Sequence, residues 1–244
     1  MQLTAKSSSP WFPEAGLRFL GQLKLHNDRE WFRERKEEYL QTVEEPMKQL
    51  VLAIAAACQS KGIPLRAKER SPVMRVYRDI RFSKNKSPYK THVAAELRRS
   101  FSDSEGLIYL HLSPTESFVA AGTWQPERLL LHAWRETIVH HHDQFDRMQK
   151  ALKKAGLAFS GHYALSKLPR GFTQYNGEPF AEFLKLTSFV VSKPLTRAQV
   201  TASDLKDQVV KFIVSVRPLL EFVWLAEQLF AKNKRRKMRE DDLL

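Results

Sequence analysis

The sequence predicts an α+β fold, a central antiparallel sheet flanked by an N-terminal helical segment and C-terminal helices. Three observations predict it. Apolar residues recur at helical spacing before residue 60 and again after residue 124. Between these stretches lie short segments, alternating or β-branched, separated by Ser, Asp, Gly and Pro clusters that supply turn conformations locally. With 43% hydrophobic and 27% charged residues and little Gly or Pro, the 244-residue chain has an ordinary globular composition and enough length to bury a sizeable core.

Residues 1–10, polar and serine-rich with no apolar period, are expected to form a flexible arm. Order should begin near Trp11. Pro13 suits a first helical turn, and Leu17, Leu20 and Leu23 recur three apart, so a first helix should run to about His26. Asn27-Asp-Arg-Glu30 offers an N-cap with an acidic residue three positions on, and Trp31, Phe32, Tyr39 and Val43 give a second helix its apolar face. Pro46 fits the first turn of a third helix that includes residues 50–57, with Gly62 placed to close it.

Strands are expected at 73–77, 92–97, 107–112 and 118–121, joined in part by turns at 102–106 and 113–116. Trp124-Gln-Pro126 then opens a helical stretch in which Leu130, Ala133, Trp134 and Ile138 share a face. Phe145, Met148 and Leu152 continue it to Gly156, with a break near His140-His-His142. Residues 189–191 read as a strand, and Ser203 as the cap of a long apolar helix through Phe230 that Pro218 kinks or divides. Residues 11–231 are thus expected to form a single α+β domain. Residues 232–244 are expected to be a basic, disordered tail, because 232–242 carries six basic and three acidic residues without an apolar period.

Net charge is +13, so the surface should attract phosphates, nucleic acid or acidic membranes. The charge is concentrated: within 66–99 eleven basic residues stand against Glu69, Asp79 and Glu96. The one cysteine, Cys58, sits in an apolar run where a small buried thiol is the plain reading. No basic-then-apolar leader opens the chain, and no uncharged apolar stretch approaches the roughly 18 residues of a membrane span, so the expected location is the cytoplasm with no membrane partner.

The most informative segment is Arg75-Val-Tyr-Arg78-Asp79-Ile-Arg81-Phe82-Ser-Lys-Asn85-Lys86-Ser-Pro-Tyr89. In a regular strand Arg75 and Tyr77 project from one face, and Met74, Val76 and Arg78 from the other. Arg is a rigid five-donor fork suited to carboxylate or phosphate, and Asp79 stands placed to orient Arg78 or Arg81. Lys86 adds a mobile point charge, and Tyr89, behind a proline, is placed to stack on a guanidinium or donate its hydroxyl. The candidate ligand-binding set is therefore Arg75, Arg78, Asp79, Arg81, Lys86 and Tyr89. Three readings stay open. One is a small anionic ligand bearing phosphate or carboxylate. A second is nucleic acid, with Tyr77, Phe82 and Tyr89 stacking bases and the basic run 234–237 adding affinity. The third is a structural network in which the arginines pair with Glu30, Glu37 or Glu38.

This segment resembles the signature of a widely scattered bacterial family of conserved hypothetical proteins, domain of unknown function 2461. That signature is written Arg-x-x-Arg-Asp-x-Arg-Phe-x-x-x-(Asp/Asn)-Lys-x-x-Tyr; its residue types all occur here in order, with two residues rather than three between Phe82 and Asn85. Asn27-x-Arg29-x-Trp31-Phe32 upstream and Gly122-x-Trp124-x-Pro126 downstream extend the resemblance over nearly the whole chain, with Ala121 standing where a further glycine is expected. The resemblance implies a shared fold and shared important residues. The family name carries no activity, so reaction and substrate do not follow from it.

Other chemistry finds less support. Three consecutive helical histidines at 140–142 point about 100° apart and form no single site. His132, Glu136 and His140 lie on one helix face at four-residue intervals, yet no Cys and no His-Glu-x-x-His spacing joins them. No metal and no cofactor is assigned: Walker, Gly-x-Gly-x-x-Gly and Gly-x-Ser-x-Gly patterns do not occur. Asp79 and Glu96 are acid and base candidates by type, but sequence does not bring them within hydrogen-bond reach of anything, and no catalytic role is assigned.

Overall fold

The computed structural model describes residues 9–241 apart from Phe82, Ser102 and Asp103, with side chains described through residue 232. Helix α1 (Glu14–Leu25) buries Leu17, Phe19, Leu20 and Leu23, as its spacing predicts. Helix α2 (Arg29–Glu34) is capped by Asp28, whose carboxylate accepts from the Trp31 amide at 2.9 Å. The cap thus lies one residue past the expected Asn27, because Asn27 is engaged elsewhere. After a break at Arg35, helix α3 (Lys36–Tyr39) passes through a π turn (Leu40–Glu44) directly into helix α4 (Glu45–Ser60). The π winding falls where Pro46 has no N–H to return to the carbonyl four residues back, and the Glu45 amide bonds the Leu40 carbonyl instead. Gly62, at φ +67°, closes α4, with the Ile63 amide donating to the Cys58 carbonyl at 2.9 Å.

Strands β1 (Arg66–Ala67), β2 (Val93–Arg98), β3 (Leu107–Leu112), β4 (Ser117–Thr123) and β5 (Phe189–Leu195) form one antiparallel sheet in the order β1-β2-β3-β4-β5. Arg66 stands opposite Arg98 and Ala67 opposite Leu97. The expected strand at 73–77 does not form. Its pairing is reduced to single bridges, Val73 with Ala95 and Tyr77 with Tyr89. Val73 and Val76, three apart, are its buried residues, while Met74, Arg75 and Tyr77 are exposed, so strict alternation fails. Pro72 and Pro88 flank this arm and donate nothing to a ladder, which leaves it irregular.

Helices α5 (Arg128–His140) and α6 (His142–Lys154) are separated at His141, the break expected at the three histidines. Helix α7 (Ala181–Leu184) precedes β5. Helix α8 (Arg197–Val200) carries a capping box between Thr196 and Gln199. Helix α9 (Leu205–Ser215) and helix α10 (Arg217–Asp241) are divided where Pro218 enters the first turn of α10. Helix α10 continues into the segment expected as a disordered tail, since Lys, Arg, Glu and Met are strong helix formers and need no apolar period to extend a helix. Of the expected arm, residues 1–8 lie outside the described residues. Among the described residues no helix is long and apolar enough to cross a membrane.

The chain divides into two compact units. The first comprises Met1–Arg99, Ile108–Val119 and Lys193–Ile213; the second comprises Ser100–Leu107, Ala120–Ser192 and Val214–Leu244. In the first, Phe19, Phe32 and Tyr39 form a ring cluster with centroids 5.3–6.4 Å apart, and α4 packs on β1 and β2. In the second, Trp134 stacks on Phe189 at 4.2 Å, and α5 and α6 pack along α10. There the buried Arg135 donates to the Leu184 carbonyl at 2.8 Å and the Leu186 carbonyl at 3.1 Å, which ties the end of α7 to α5.

Candidate functional site

The site is built on the first unit by alternation along two strands. Val93, Ala95 and Leu97 of β2 and Ile108, Leu110 and Leu112 of β3 are buried. The intervening positions place His92, Glu96 and Arg98 beside Tyr109 and His111, all half-buried, on the other face. The rings of His92 and His111 lie 4.2 Å apart, and His111 stacks on Phe118 of β4 at 4.8 Å. The Tyr109 hydroxyl is 3.4 Å from His111 Nδ1, and Glu96 pairs with Arg98 at 3.0 Å.

The arm carrying the Arg-rich motif meets this face at the start of β2. The Lys90 amide donates to the Val76 carbonyl at 2.7 Å, and the Arg78 amide to the Pro88 carbonyl at 2.9 Å. This brings cations to the histidines. Burial, then the neighbouring His111, Lys90 and Arg78, hold His92 down to about 4. Burial also lowers His111. Lys90 is lowered by burial and by Arg75 beside it. Both imidazoles are therefore neutral at neutral pH, within a cationic setting.

The structure divides the six expected ligand residues. Asp79 accepts from Arg81 Nε at 3.0 Å and Nη2 at 2.7 Å, so it orients Arg81, and that pair holds Asp79 below the usual carboxylate range. Lys86 Nζ donates to the Ile80 carbonyl at 3.0 Å and closes the loop. Tyr89 is buried, stacked on Phe32 at 4.1 Å and held by Asn27 through both of its backbone groups. Arg75, exposed, and Arg78, half-buried, have no hydrogen-bond or ion-pair partner among the described residues, and neither do the ring nitrogens of His92. Phe82 lies outside the described residues.

Of the N-terminal acids, Glu30 lies 4.0 Å from Arg33, and the Glu37 side chain accepts from Gln41. Sequence reasoning passed over Lys90, His92, Tyr109 and His111. The signal was present in the alternation of 92–97 and 107–112, which sets these polar residues opposite the apolar ones. Elsewhere, His132 and Glu136 form an exposed pair at 3.6 Å, and among the described residues no group of three His, Cys, Asp or Glu gathers to hold a metal. Cys58 is buried, which pushes its thiol up to about 11. A depression beside Trp11 at the start of α4 includes no residue of the motif.

A family model described as conserved hypothetical protein (DUF2461) matches residues 15–222 of the chain. No curated protein and no solved structure matches it.

Proposed function

We propose, for a chain that belongs to the DUF2461 family of conserved hypothetical proteins and takes no activity from that name, that it binds an anionic ligand through a phosphate or carboxylate group. The group sits among Arg75, Arg78, Lys90 and His92. One observation carries this reading: Arg78 and Lys90 neighbour the His92 imidazole and Arg75 neighbours Lys90, and neither guanidinium nor that imidazole has a hydrogen-bond or ion-pair partner among the described residues. Cations gathered this way repel one another, and an anion accepting charge-assisted hydrogen bonds from them removes that repulsion. The motif carboxylate, Asp79, is hydrogen-bonded to Arg81 and meets the charge of Arg75 without a hydrogen bond or ion pair to it.

The test is a thermal titration with sulfate and with inorganic phosphate at constant ionic strength, using wild type and an Arg75→Ala/Arg78→Ala variant. Ligand bound only by the folded state raises the melting temperature with concentration. Wild type is expected to rise and the variant to stay level. Equal rises in both proteins would reject the site.

A further inference from the structure

The cations of this site continue along one edge of the sheet. Across residues 66–90 nine basic residues stand against two carboxylates, Glu69 and Asp79. β1 and the arm lie along the same side of β2, Arg66 opposite Arg98 and Val73 opposite Ala95. Arg66, Lys68 and Arg75 are exposed, and like Arg78 they have no hydrogen-bond or ion-pair partner among the described residues. Between the last two stands Tyr77, a large ring left 54% exposed.

From the level of Arg66 to that of Arg75 is roughly 17 Å of strand at about 3.3 Å per residue, and Arg78 extends the line. An edge strand is commonly guarded by cations that discourage pairing with another chain, which accounts for charge but not for an exposed aromatic set among the arginines. A row of cations with an open ring is the arrangement that holds a sugar-phosphate backbone while a base stacks.

Building on the anion site above, we infer that a single strand of RNA or DNA lies along this edge, its phosphates against Arg66, Lys68, Arg75 and Arg78 and one base on Tyr77. A duplex offers no unstacked base to that ring, so the single strand is the favoured occupant.

The experiment is fluorescence anisotropy with labelled oligo-U and oligo-dT of about a dozen nucleotides and a duplex of equal length, run beside the sulfate titration. Four phosphate contacts predict that log K falls with log salt at a slope of about −3, at about −0.7 per contact. Arg66→Ala/Lys68→Ala, which changes two exposed residues without partners, should bring the slope to about −1.5 while leaving sulfate stabilisation intact. Tyr77→Ala should weaken single-strand binding about tenfold or more with the slope unchanged. Melting curves check that both variants fold. If sulfate stabilises the protein but single strands do not bind, or bind no better than duplex, or keep their slope in the double variant, the strand inference falls and the anion site stands. If sulfate fails to stabilise wild type, both fall.

Discussion

Asn27 holds Tyr89 by both backbone groups, its Nδ2 donating to the Tyr89 carbonyl at 3.1 Å and its Oδ1 accepting from the Tyr89 amide at 3.0 Å. A primary amide presents a donor and an acceptor side by side, so Asn27 stands in for the neighbouring strand that the irregular arm lacks. Asn27→Ala leaves two backbone groups of a buried residue unpaired and is expected to destabilise the protein by about 2 kcal/mol. Asn27→Asp turns the donor into a second acceptor facing a carbonyl, and should be no better at neutral pH. Urea unfolding measures both, and an unchanged midpoint in the alanine variant would remove the clamp from the account.

His92 sets a pH dependence whose sign follows from its surroundings. Its folded-state value is about 4 against an ordinary 6.5, so the unfolded chain takes up a proton before the folded one does. The contribution is complete above about 6.5 and is lost as pH falls toward 4. His111 shifts in the same direction. The loss belonging to Asp79 comes at lower pH, because its hydrogen bonds from Arg81 hold the carboxyl below the usual carboxylate range. Thermal melts between pH 7 and pH 4 should therefore fall less steeply for His92→Asn than for wild type, and less again for His92→Asn with His111→Asn. Sulfate should oppose the loss in wild type, since an adjacent anion favours the imidazolium. Identical slopes in all three proteins would show that these rings do not govern the acid limb.

Part of this was legible beforehand, for reasons tied to particular residues. Leu17, Leu20 and Leu23 mark α1 because a helix reports its buried face at short range, and the alternation in 107–112 marks β3 in the same way. The cap of α2 was misplaced by one residue because Asn27 and Asp28 are both good caps locally, and only the distant Tyr89 decides between them. The arginines of the motif were visible as residue types. The meeting of His92 with His111 was not, because it depends on how β2 pairs with β3, a long-range fact that no local pattern states.

Glu227 performs for the second unit what Asn27 performs for the first. Its buried carboxylate accepts from the Glu105 and Gly106 amides, both at 2.8 Å, and from the Ser104 hydroxyl at 3.0 Å. Gly106 permits that approach, since a Cβ there would lie 2.6 Å from Val223 Cγ1. Glu227→Ala strands two amides and should cost about 3 kcal/mol or more, with Glu227→Gln intermediate because one acceptor survives. Hydrogen exchange at Glu105 and Gly106 should quicken in step with the lost stability. Protection retained in the alanine variant would mean that the loop is held by other contacts.

Two glycines with positive φ separate conformational from steric demand. Gly156, at φ +71°, has nothing within 4 Å of where a Cβ would stand, so Gly156→Ala meets only the left-handed penalty, about 1–2 kcal/mol, and Gly156→Asn should cost less. Gly122, at φ +125°, would place a Cβ 1.9 Å from the Phe189 carbonyl oxygen, a backbone atom that cannot swing aside as a side chain does. Gly122→Ala is therefore expected to cost more than about 3 kcal/mol, because β4 and β5 must move apart as well as accept the strained backbone. Denaturant midpoints of the two alanine variants decide the matter: equal losses would mean that backbone conformation alone, and not the contact with Phe189, requires glycine at position 122.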